Sequence, residues 1–203
     1  LVGYFSATRE LAGMARYMQD DIRTALAKGL PGSGLPRRWG TAFGALSLGE
    51  LTSRIASTDI TRTLDEMAVG FDSTVDSTRA RAERLAAARA GTKVPVTREP
   101  GPFDAVLATS MLQVGVDVTR LGLMLIVGQP KNTAEYIQAS SRVGRDAARP
   151  GLVVTVGNWA RPRDLAHYEQ FRHFHETFYA RVEPLTVTPF SVTAIDRGID
   201  GAL

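Results

Sequence analysis

The chain reads as an α/β protein built on a parallel sheet with helices on both faces. Two observations predict that class. Three nearly continuous apolar runs, FDAVLATS from Phe103, LGLMLIVG over 121–128 and GLVVTVGN over 151–158, have the composition of strands buried on both sides. Strand-length runs also alternate with longer helix-like segments, the rhythm of β-α units. At 203 residues and 44 % hydrophobic, the chain can bury one good core, as one large domain or two small ones.

The elements follow in order. VGYF, Val2 to Phe5, is a strand, and an amphipathic stretch from about Thr8 to Lys28 is a helix broken by Gly29 and Pro31. GLPGSGLPRRWG (29–40) is a loop or an insertion, because glycine and proline dominate it. LGELTSRI, Leu48 to Ile55, is the next strand. STDITRTLDEM forms a short helix with Ser57 or Thr58 placed to cap it. Between Asp72 and Ala90, VDSTRARAERLAAARA has little apolar content and is read as an exposed helix or a mobile insert. TKVPVTREPGP (92–102) has too many prolines for regular structure. The three apolar runs then complete the sheet, and no internal repeat is visible.

Composition narrows the function classes. No apolar run approaches the roughly 18 residues that span a bilayer, and no basic leader precedes the first strand. Without cysteine there is no disulfide framework and no thiolate metal site, which fits a reducing compartment and makes the cytoplasm the expected location. Only Lys28, Lys93 and Lys131 of the 24 basic residues are lysine, leaving 21 arginines. Arginine's planar fork suits phosphate and carboxylate, so the excess fits a nucleotide or nucleic-acid partner; genomic compositional bias is the other explanation.

The informative chemistry lies between Phe103 and Arg145. In ATSMLQVGVDV, a buried strand delivers Thr109 and Ser110 to its carboxyl end, the edge where open α/β sheets bind ligands. Hydroxyls and free amides there can hold a phosphate. Gly115 permits a tight turn, and Asp117 offers a carboxylate to ribose hydroxyls or to an arginine. After the next strand, Gln129 and Pro130 end it and Asn132 or Thr133 can cap a helix whose last turn carries Arg142 and Arg145. Three residues apart, both guanidinium groups can reach one target, with Gln138 on the same face. Such a pair needs an anion between its members or a carboxylate beside them, and Asp117 and Asp146 are the available carboxylates, Asp117 the first candidate.

With these residues stated, a family resemblance appears. ATSMLQVGVDV followed by EYIQASSRVGR resembles motifs V and VI of superfamily 2 helicases, in the second of their two RecA-like domains. Gln138, Arg142, Gly144 and Arg145 match the pattern, whereas Ala139 and Ser141 stand where many members have arginine and glycine. VGYFSATRE is similar to motif IV, in a register that leaves Ser6 and Thr8 both open. ELTSR lies between, so the resemblance covers most of residues 1–157, with inserts near 30–40 and 72–102. The resemblance implies a RecA-like parallel sheet with helices on both faces, followed from residue 158 by a C-terminal helical extension.

The same resemblance implies roles. Arg142 and Arg145 would be arginine fingers at the γ-phosphate of ATP, with Gln138 orienting a finger, the phosphate or the attacking water. Gly115 and Asp117 would contact the nucleotide sugar or position a finger. Thr109 and Ser110, with Ser6 or Thr8 and Arg9, would hold the phosphates of the tracked strand independently of sequence. The chain contains no GxxxxGK[ST] loop and no DExH or DEAD box, so ATP and Mg²⁺ would be bound mainly by the first RecA-like domain of the same polypeptide. These 203 residues are therefore expected not to hydrolyse ATP alone.

Beyond Asn158, NWARPRDLAHYEQFRHFHETFYARVEPLTVTPF carries Tyr168, Phe171, His175 and Phe178 on one helical stripe. It reads as a core-facing stripe, or else as a face for stacking bases or docking a partner domain. His167, His173 and His175 lack companions at metal-ligand spacing, and no metal site is expected. This tail and the LTSR segment resemble helicases of phage-defence systems, notably the DISARM helicase family, which implies DNA as the nucleic acid. Two other readings compete: a Rossmann-like nucleotide-binding module, which would want a GxGxxG turn, and a scaffold that kept the motor fold without its chemistry.

Overall fold

The computed structural model describes residues 1–28, 32, 46–93, 100–113 and 117–182. Five strands, β1 (Val2–Phe5), β2 (Leu48–Leu51), β3 (Ala105–Ala108), β4 (Leu123–Val127) and β5 (Leu152–Val156), form one sheet in the order β2-β3-β1-β4-β5. Every pairing is parallel, with Val2 opposite Val106 on one side and Met124 on the other. β1 and β3 are buried at each position, as two-sided coverage requires. Side chains alternate between two cores. Val2, Tyr4, Val106, Ala108, Met124 and Ile126 enter the first, while Phe5, Ala105 and Leu107 enter the second.

The second core is closed by α1 (Thr8–Tyr17) and by a π turn at Met18–Ile22, in which the Arg23 amide reaches the Met18 carbonyl and which leads into α2 (Arg23–Lys28). The expected helix from Thr8 to Lys28 is thus helical throughout, with Leu11 and Met18 buried on the face it turns to the sheet. The first core is covered by α3 (Ser57–Ala68), through Ile60, Leu64 and Met67, and by α5 (Thr133–Ser140), through Tyr136 and Ala139. The N-cap of α3 is Ala56, one position before the expected Ser57 or Thr58. β2 stops at Leu51, short of the expected Ile55, because the Ile55 amide turns back to the Thr52 carbonyl at 3.2 Å. Of the two readings of the alanine- and arginine-rich stretch, the exposed helix holds: α4 (Thr78–Arg89) starts under a Ser77 cap that accepts from the Ala80 amide at 3.2 Å.

Two expectations need correction. β5 is not covered on both faces: Leu152, Val154 and Val156 point to solvent, while Val153 packs on the first core. β5 is an edge strand, and α1 lies mainly over β1 and β3. The aromatic stripe is also broken. α6 (Pro162–Glu169) and α7 (Phe171–Glu176) are separate helices meeting at Gln170, which leaves Tyr168 and Phe171 exposed. Phe174 is the buried ring instead, edge-on to Tyr136 at 5.7 Å, with His175 and Phe178 beside it. The tail thus docks on the first core through Phe174 of α7 and Phe178 just beyond it, while α6 is tied to the end of β4 by Asp164. Apart from Gly32, residues of the 29–40 segment lie outside the described residues, as do 94–99 and the tail after Val182. No helix among the described residues is long and apolar enough to cross a membrane.

Candidate nucleotide and nucleic-acid site

α5 is started by Asn132, whose side chain accepts from the Glu135 amide at 2.7 Å. It ends at Ser140, so Arg142 and Arg145 stand not in its last turn but in the turn beyond it. That turn is fixed by Gly144. Its φ is +70°, and a Cβ there would lie 2.6 Å from the Gly151 nitrogen. The Gly144 amide donates to the Leu121 carbonyl at 2.9 Å, which ties the turn to the segment leading into β4.

The two arginines are held differently. Arg145 donates from Nη1 to Asp117 Oδ1 at 2.6 Å and from Nε to the Ser141 carbonyl at 3.2 Å. Asp117 is thus the carboxylate beside the pair, as expected, while Asp146 turns to Arg149. Arg142 instead donates from Nη2 to the Gln113 carbonyl. Burial, then the charge of Arg145, lower the Arg142 pKa from its ordinary value, and Asp117 offsets part of that. Asp117 thus bonds Arg145 while its charge also acts on Arg142. Gln138, by contrast, is exposed, its carbonyl accepting from the Ser141 hydroxyl at 3.2 Å, and Gly115 lies outside the described residues.

Gln113 is itself clamped. It ends a short 3-10 turn, Ser110–Gln113, that follows β3. Its side-chain amide donates to the Tyr4 hydroxyl at 2.7 Å, and Tyr4 donates to Glu135 Oε1 at 2.6 Å. Burial, then the Glu135 hydrogen bond and charge, raise the Tyr4 pKa far above the ordinary phenol value, so the hydroxyl stays protonated. A chain of contacts thus runs from Glu135 at the start of α5 through Tyr4 and Gln113 to Arg142 beyond its end. Tyr4, Gln113 and Glu135 were not singled out from the sequence.

At the carboxyl edge of the sheet, Ser110 is exposed and Thr8 half-exposed, with Arg9 exposed beside it. Thr109 is buried, its amide spent on the Leu51 carbonyl at 3.1 Å. Ser6 Oγ is buried without a hydrogen-bond partner among the described residues, whereas Thr8 Oγ1 accepts from Arg54 at 3.4 Å. Arg54, in the LTSR segment after β2, is a cation at this edge that the motif comparison did not single out. Among the described residues no group of three or more His, Asp or Glu side chains could hold a metal ion.

Residues 65–147 match the helicase conserved C-terminal domain family. Over those residues the chain carries a helicase C-terminal domain. Over 199 residues this helicase domain is 40 % identical to DISARM protein DrmA of Bacillus paralicheniformis, a match spanning 97 % of the chain and 15 % of that protein. Its fold is that of the RecA-like domain in two solved helicases. The Mycobacterium smegmatis helicase Lhr, bound to ssDNA and AMP-PNP, superimposes with a TM-score of 0.54 at 16 % identity, over 92 % of this chain and 18 % of its own. The DUF1998 helicase MrfA, bound to DNA and AMPPNP, gives 0.57 at 14 % identity, over 96 % and 20 %. The helicase domain thus spans a small part of the length of each relative.

Proposed function

We propose that this domain is the second RecA-like half of an ATP-dependent superfamily 2 motor acting on nucleic acid, DNA by its kinship with the DISARM protein. The observation that carries the reading is the pair Arg142 and Arg145, set beyond α5 by the Gln113 carbonyl and by Asp117. A guanidinium offers five N–H donors, enough to hold a protein acceptor and a phosphate together. In the closed motor both turn to the γ-phosphate and stabilise the charge that develops as the phosphoryl group passes to water. Asp117 then releases Arg145 to the nucleotide or holds it in line, and Gln138 contacts the phosphate or the attacking water. Gly115 adjoins the nucleotide.

ATP and Mg²⁺ are held mainly by the first RecA-like domain, because this sequence has neither a P-loop nor a DExH or DEAD box. Thr8, Arg9 and Ser110, with Arg54, hold phosphates of the tracked strand on an edge that buried Thr109 supports; such contacts carry no sequence preference. Residues 1–157 form the motor unit and residues 158 onward its extension, working in the cytoplasm.

Replacing Arg142 or Arg145 by alanine in the full-length protein tests the reading. Nucleic-acid-stimulated ATP turnover should fall by roughly 10³ while ATP affinity stays within a few-fold. Unchanged turnover in both variants would leave a docking scaffold as the better account, and turnover by these 203 residues alone would refute the division of labour.

A further inference from the structure

Trp159 is 87 % exposed, the most exposed of the large apolar side chains among the described residues. Tryptophan is highly buried on average, so an indole held in water needs a reason. A mobile tip would be one, but the backbone here is fixed. The Asn158 amide donates to Asp164 Oδ2 at 2.8 Å, and the Gln129 amide, at the end of β4, donates to Oδ1 of the same buried carboxylate at 3.1 Å. Asn158 Oδ1 accepts from the Ala160 amide at 2.9 Å, and the Arg161 amide closes the turn on the Asn158 carbonyl at 2.9 Å. Arg161 then forms an ion pair with Glu10 in the first turn of α1.

These ties fix the turn at the carboxyl edge of the sheet. Trp159 follows β5, as Thr8 follows β1 and Ser110 follows β3, so all three leave the same edge of one parallel sheet, with β5 two strands from β1. The exposed charges nearest along the chain are cationic: Arg9 on one side, Arg163 on the other, with Glu10 already engaged by Arg161. A flat aromatic face among cations, on a rigid turn, matches a polyanion that carries flat bases.

We propose that Trp159 stacks on a nucleobase of the single strand whose phosphates lie along Thr8, Arg9 and Ser110. The inference rests on the nucleic-acid reading of that edge and adds a base contact to what would otherwise be phosphate contacts alone. Stacking accepts any base, so it grips the strand without breaking sequence tolerance.

The test uses the full-length protein with a fluorescent dT oligonucleotide and the same oligonucleotide made abasic. Trp159→Ala should weaken dT binding roughly tenfold, and Trp159→Phe should restore most of it. The salt dependence should not change, because no phosphate contact is lost. On the abasic strand wild type and Trp159→Ala should bind alike. Wild-type affinity of Trp159→Ala for dT would overturn the proposal, and so would an equal loss on both strands, which marks the indole as packing on a neighbouring domain. Either result leaves the ATPase test of Arg142 and Arg145 untouched, so the two readings fail separately.

Discussion

The turn that carries Arg142 and Arg145 and the carboxyl edge of the sheet are held by different means. At the turn, side chains fix side chains: Glu135, Tyr4 and Gln113 lead to Arg142, and Asp117 holds Arg145. At the edge, backbone amides fix the frame through Asn158, Asp164 and the Thr109 amide, and Thr8, Arg9, Ser110 and Trp159 project from it with few ties. The difference fits two tasks. A guanidinium that meets a single transferring phosphate must be aimed, whereas a track for successive nucleotides must be permissive. Conservative substitutions should therefore harm the turn, and charge or salt should harm the edge.

The strongest way to break the contrast is Gly144→Ala. The substitution forces a side chain into a left-handed conformation and onto the Gly151 backbone. About 3 kcal/mol of destabilisation is expected, seen as a lower thermal midpoint, together with loss of stimulated ATP turnover. If turnover survives with a normal midpoint, the arginines do not depend on this turn for their aim.

The sequence revealed this turn only partly, and the reasons are physical. The apolar runs of β3, β4 and β5 and the Asn132 cap are local patterns and are found where they were expected. The end of α5 was misjudged because an arginine pair at helical spacing looks the same inside a helix and just past it; Gly144 was the available signal. The relay to Arg142 was invisible, since Tyr4 lies 109 residues from Gln113 and 131 from Glu135. β5 looked buried on both faces because an apolar run does not say which strand sits at the edge. The broken aromatic stripe has a similar cause: a helix period carried past Gln170 chooses Tyr168, while the break there selects Phe174.

A finer probe of the aiming relay is Tyr4→Phe, which removes one hydroxyl and keeps the ring in the core. Gln113 loses an acceptor and Glu135 a donor, which costs about 1 kcal/mol of stability. The expected signature is a several-fold fall in kcat of the stimulated ATPase with KM for ATP and oligonucleotide affinity unchanged, because only the approach of Arg142 is disturbed. A matching loss of oligonucleotide binding would show that turn and edge are one device and would end the comparison.

The smallest effect on stability should come from Asp117→Asn. Its carboxylate is 75 % exposed, and an ion pair so placed contributes at most about 1 kcal/mol and is screened by salt, so the thermal midpoint should barely move. Function should respond in a way that salt cannot copy. Asparagine can still accept from Arg145 but no longer offsets the mutual repulsion of Arg142 and Arg145, which that carboxylate opposes in this structure. If Asp117 only parks Arg145 until a phosphate arrives, the substitution should leave kcat near wild type and tighten ATP, because one competing anion is gone. If it keeps Arg145 in line during the reaction, kcat should fall several-fold at unchanged KM. Steady-state kinetics of the full-length Asp117→Asn variant at low and high salt separate the two, and the second outcome would place Asp117 with Gln113 among the groups that aim the arginines.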